Sequence, residues 1–107
     1  MSDRVGVFEL LVLMAVSSCG REAHGVPIRQ AVEASRGREV SSGAVHTTLE
    51  RLERRGFVVS RTGDVTPPRG GRPRRYYALT RAGEAAVRRN YAAVRRLAGL
   101  ISSRLTR

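Results

Sequence analysis

The chain has 107 residues, is 41% hydrophobic and carries a formal net charge of +11. That length suits a single domain, and the absence of any run of eighteen apolar residues excludes a membrane-spanning helix. One cysteine, Cys19, excludes an internal disulfide and a multi-cysteine zinc site. All 20 basic side chains are Arg, and 15 of them follow residue 50, where only Glu53, Asp64 and Glu84 oppose them. A guanidinium fork grips phosphate and guanine bidentately, so a polycation built from Arg points to nucleic acid.

The run Phe8-Glu9-Leu10-Leu11-Val12-Leu13-Met14-Ala15-Val16 is apolar on nearly every side. It predicts a helix enclosed all round, with one face on its own core and another on a partner. Nothing in its flanks resembles a cleaved signal, and a bacterial cytoplasm, with association to the nucleoid, is the expected location. Ser17–Gly20 ends this helix. A second helix starts near Gly25 and Pro27 and stops at Gly37.

Ser41 or Ser42 caps a third helix, in which Val45, Leu49 and Leu52 form one inward stripe, and Gly56 stands just past its end. Residues 57–62 and 74–79 read as two strands of a hairpin. The Pro/Gly-rich stretch between them carries Arg69 and Arg72, with Arg74 and Arg75 at the start of the second strand. Thr80 caps a last helix reaching about Ser103.

Along that helix Val87, Tyr91, Val94, Ala98, Ile101 and Leu105 are spaced as a heptad seam, which Leu97 and Leu100 widen. The seam is expected to pair with a second copy, together with Phe8, Leu11 and Val12 of the first helix. The other arrangement is a helix folded back on its own domain. The expected division is a DNA-binding unit over 1–80 and a dimerisation helix over 81–107.

Helix, helix, helix, two-stranded hairpin and helix is the order of a winged helix-turn-helix, an α+β fold that is mostly α. The short side chains of Ser41, Ser42, Gly43 and Ala44 let the third helix approach a duplex closely, with its positive end towards phosphate. His46, Thr47 and Arg51 lie off the core stripe and are candidate contacts. Of Thr47 and Thr48 only one can face a groove. Arg69, Arg72, Arg74 and Arg75 are candidate contacts from the wing. Arg88, Arg89, Arg95 and Arg96 form the wet face of the last helix, with no acid after Glu84 to pair with them.

The chain resembles the PadR family of bacterial transcriptional regulators. The resemblance rests on Phe8–Leu13, on His24-Gly25 with Ile28, on Val40–Gly56 and on Gly70–Gly83, and its length is that of the compact subfamily. It implies a homodimeric repressor that reads a palindromic operator in double-stranded DNA with its third helix. It also implies a wing that grips the backbone, and release of DNA on binding a small aromatic effector. His46 stands where the family usually has Tyr, and no Trp is present to sandwich a planar drug. A small phenol-like effector is therefore expected between Phe8, Val12, Tyr91, Val94 and Leu97, unless the helices close the gap.

No cofactor is expected. Cys19, His24 and His46 lack metal-ligand spacing, and no paired carboxylates or nucleophile–base signature point to an enzyme. The alternative reading is an interaction module whose basic face meets an acidic protein or RNA.

Overall fold

The computed structural model describes residues 3–63 and 73–105. Arg69 and Arg72, expected at the wing tip, lie outside the described residues. The elements are α1 (Val7–Cys19), a 3₁₀ turn (Gly20–Glu22), α2 (Gly25–Arg36), α3 (Ser42–Arg54), β1 (Val58–Thr62), β2 (Arg75–Leu79) and α4 (Arg81–Leu105).

Helix α1 packs against α2, α3, β2 and α4. It buries Val12, Leu13, Ala15 and Val16. Its other side is open: Val7 is 78% exposed and Met14 37%. Within one subunit α1 therefore packs on the core by one face and leaves the other to solvent. Val12, expected on the partner and effector surfaces, sits in the core instead. It is fully buried in one cluster with Ile28, Val32 and Leu49, so it cannot line a surface for a partner or an effector. Phe8 and Leu11 are half-buried at the edge of that cluster.

Local chemistry sets each boundary. Gly37 closes α2 with a left-handed φ of 70°. Ser41 caps α3, its hydroxyl accepting the Ala44 amide at 3.0 Å. At the far end of α3, Gly56 takes a φ of 82°. There the Gly56 amide donates to the Glu53 carbonyl and the Phe57 amide to the Leu52 carbonyl, which is a Schellman ending. The chain then enters β1, antiparallel to β2 with Val58 opposite Leu79 and Ser60 opposite Tyr77. The Tyr77 amide donates to the Ala23 carbonyl at 2.8 Å, fastening β2 to the segment that leads into α2.

Thr80 joins the hairpin to α4. Its amide donates to the Phe57 carbonyl, and its hydroxyl donates to the Gly56 carbonyl at 2.6 Å while accepting the Gly83 amide at 3.0 Å. The first turns of α4 press on the winged-helix body. Gly83 and Ala86 are buried, and Val87 packs on the core. Asn90 donates to the backbone carbonyl of Asp3, and Arg89 pairs with the Asp3 carboxylate at 2.6 Å. That hydrogen bond holds the Asp3 carboxyl below the usual carboxylate range. The expected division at residue 80 thus falls inside a packed junction. Arg89 also has an acidic partner, supplied from the other end of the chain. The first position of the expected seam, Val87, turns inward, and the stripe opens to solvent from Tyr91 onward.

A β-carbon at position 83 would sit 2.0 Å from the Phe57 carbonyl oxygen. Neither backbone can yield without breaking the Thr80 hydrogen bonds. Gly83→Ala is therefore expected to destabilise the fold by about 3 kcal/mol or more, at the upper end of overpacking costs. Urea denaturation measures it, and an unchanged midpoint would contradict this packing.

Burial raises the pKa of the Tyr77 phenol above its ordinary value. The folded state therefore favours the neutral phenol. Stability is full below the unfolded tyrosine pKa of about 10 and is lost as pH rises through the folded value. An absorbance titration of the three tyrosines should show a late phase that Tyr77→Phe removes.

Candidate nucleic-acid interface

The start of α3 presents small groups to solvent. Ser41, Ser42, Gly43 and Ala44 are all exposed, as are His46 and Thr47, while Val45, Thr48 and Leu49 are buried. Of the two threonines, Thr47 faces out and Thr48 packs. Four consecutive short side chains beside the open amide end of a helix make a surface that a phosphate backbone or a base edge can approach closely.

A carboxylate holds this helix start in place. Glu33 of α2 accepts the Val40 amide at 2.9 Å and pairs with Arg29 at 3.1 Å. The extended residues before Ser41 are thereby fixed to α2. On α3 itself, His46 lies 3.6 Å from Glu50, with both side chains at least half exposed.

Strand alternation divides the wing arginines between two faces. Arg75 lies on the side of Ser60 and Tyr77. With Gly25, Val26, Ser42, His46 and Tyr77 it lines a cavity of about 230 Å³. Arg75 and the start of α3 therefore share one surface. The Ser60 hydroxyl, donating to Glu53 at 2.7 Å, ties that side of the hairpin to α3. On the other side Arg61 stacks on Tyr76 at 4.7 Å, and His24 meets the same ring edge-on at 5.4 Å. Arg61 and Tyr76, with Arg21, Val59 and Ala78, mark an open groove on the outer wing face. Arg74 is exposed, and its carbonyl accepts the Gly63 amide.

Arg51, a candidate contact, is half exposed and lies 3.6 Å from Glu9 of α1. Glu9 also accepts the Gly6 amide at 2.8 Å and pairs with Arg55 at 3.4 Å. Sequence reasoning missed Glu9, although it is the only charged residue of α1. An acid inside an apolar helix is the signal that marks it. Arg61, stacked on Tyr76, was missed as well.

At the other end of the molecule, the stripe along α4 is uncovered. Tyr91 is 46% exposed, Val94 57%, Leu97 60% and Leu105 70%. Ala98 is exposed and Ile101 half-buried. Among the described residues no cluster of three potential metal ligands occurs, and no helix is long and apolar enough to cross a membrane.

The comparisons with known proteins agree with this architecture. The Transcriptional regulator PadR-like family matches residues 12–89. Transcriptional regulator Rv3488 of Mycobacterium tuberculosis is 42% identical over 78 residues, which are 72% of this chain and 67% of that protein. A PadR family transcription regulator from Clostridium difficile superposes with a TM-score of 0.73 at 19% identity, over 94% of this chain and 99% of its own. Bacillus subtilis PadR in complex with operator DNA gives a TM-score of 0.64 at 19% identity, over 78% of this chain and 46% of its own.

Ser41→Ala removes the hydroxyl that caps α3. The expected cost is about 1 kcal/mol of stability, read from denaturant unfolding, and Ser41→Asp should restore most of it.

Proposed function

The chain belongs to the PadR-like family of transcriptional regulators, and from that premise we propose that it is a homodimeric repressor that binds a palindromic operator. The observation that carries this reading is the shared surface of the α3 start and the wing root, where Ser42, His46 and Arg75 line one cavity. Such a surface offers exposed helix amides, short side chains and a guanidinium together. It is suited to a duplex, with α3 in the major groove and the wing along the backbone. Bacillus subtilis PadR, whose fold the chain shares, is known in complex with operator DNA, which supports the same partner here.

In this reading Ser41, Ser42, Gly43, His46 and Thr47 approach the bases. Arg51, Arg69, Arg72, Arg74 and Arg75 approach phosphate. The uncovered stripe of Tyr91, Val94, Leu97, Ala98, Ile101 and Leu105 pairs with a second copy, with Phe8 and Leu11 of α1 at its margin. A solvent-facing apolar row of this extent is a liability on a monomer and an asset in a dimer. A small aromatic effector that releases the operator would lodge where the α4 stripes meet Phe8, Tyr91, Val94 and Leu97. Val12 takes no part.

The competing reading, a module for an acidic protein or RNA, separates from this one by mutation. Arg75→Ala is expected to weaken operator and random duplex alike and to lower the log–log salt slope by about one. His46→Ala is expected to change which sequence is preferred while leaving the salt slope alone. A wild-type protein that prefers an acidic polypeptide or single-stranded RNA to any duplex would favour the competing reading.

Leu97→Asp tests assembly. Leu97 is 60% exposed in the subunit, so the variant should fold. Burying the new carboxylate against a partner costs several kcal/mol. Sedimentation should then show a folded monomer in place of a dimer.

A further inference from the structure

We propose that Glu9 is a positioning residue for DNA binding: it holds Arg51 of α3 in reserve, and Arg51 leaves it for a phosphate when a duplex binds. The proposal rests on the DNA-binding reading above and assigns a role to an α1 residue that lies outside the groove-facing surface.

The geometry around Glu9 is asymmetric. One carboxylate oxygen, Oε1, is firmly used. It accepts the Gly6 amide at 2.8 Å and the Arg55 guanidinium at 3.4 Å. Arg55 is itself fixed, because it stacks on the Phe57 ring at 4.7 Å and donates to the Arg4 carbonyl. Its side chain is only 28% exposed. The other oxygen, Oε2, faces Arg51 at 3.6 Å, which is an ion pair without a hydrogen bond. Arg51 is half exposed and lies one turn beyond the outward-facing Thr47. When a polyanion approaches, the longer pair, whose guanidinium is half exposed, is the one that can be traded. Arg55 remains to neutralise the released carboxylate, which stays largely buried.

The trade lowers the affinity that Arg51 contributes, because one pairing is lost as another is gained. Exposed ion pairs contribute up to about 1 kcal/mol, so removing the competition should raise affinity by about two- to five-fold. Glu9→Gln keeps an acceptor for the Gly6 amide, removes the charge and turns the atom facing Arg51 from an acceptor into a donor.

The test is a double-mutant cycle on a random duplex, with affinity followed by fluorescence anisotropy over a salt series. Glu9→Gln should bind about two- to five-fold tighter than wild type, and this gain should vanish in an Arg51→Ala background. Loss of one negative charge by itself would raise affinity in both backgrounds, and that result would overturn the proposal. Arg51→Ala alone should lower the salt slope by about one. An unchanged slope would mean that Arg51 stays on Glu9 in the complex, and would overturn the proposal even if Glu9→Gln did not fold. Wild-type protein that binds no duplex at all would instead remove the DNA-binding reading on which it rests.

Discussion

Two adjacent carbonyls, those of Gly56 and Phe57, decide how the parts of this protein stand relative to one another. Gly56 ends α3 in the left-handed region, and its carbonyl receives the Thr80 hydroxyl. The Phe57 carbonyl receives the Thr80 amide and leaves no room for a β-carbon on Gly83. Helix α3, the first wing strand and the start of α4 therefore meet within one turn. Each hydrogen bond contributes only about 1 kcal/mol net. Their joint effect is geometric, because α4 can leave the body in one direction only. A dimer built on α4 thus fixes the separation of its two α3 helices, and with it the spacing of any paired site on DNA.

The second constraint is the scarcity of acid. Nine carboxylates face 20 arginines, and several of those few are spent at joints. Glu33 fixes the entry to α3, Glu53 fixes the wing root, Glu9 fixes the far end of α3 to α1, and Asp3 fixes the N-terminal residues to α4. These pairs individually contribute little where they are exposed. Their placement explains how a chain with so large a positive excess keeps a defined shape. The arginines that remain exposed, Arg74 and Arg75 among them, stand on a surface that a polyanion can neutralise.

Much of this was legible in the sequence, and the reasons are local. Gly37, Ser41, Gly56 and Thr80 mark their boundaries because capping depends on a single residue and its nearest neighbours. The inward stripe of Val45, Leu49 and Leu52 follows from helical period. The strands begin one residue later than their composition suggested, and Phe57 and Arg74 close the two ends of the ladder through their carbonyls, which accept the Thr80 and Gly63 amides. What periodicity could not supply was which neighbour each face meets. Helix α1 is apolar all round, so nothing in its pattern distinguished buried Val12 from exposed Val7. The pairs Asp3–Arg89 and Glu9–Arg55 join residues far apart in the chain, and no local rule predicts them. Val87 fits the heptad spacing as well as Tyr91 does, yet it follows buried Gly83 and Ala86 and is half-buried against the core.

In the proposed function α3 and the wing of two joined subunits read a two-fold symmetric DNA site. Selection of bound duplexes from a random pool tests it most directly. Enrichment of an inverted repeat whose half-sites lie about one helical turn, or a multiple of it, apart is the expected result. Enrichment of a single asymmetric site, or of no sequence at all under conditions where the protein is folded and dimeric, would contradict it.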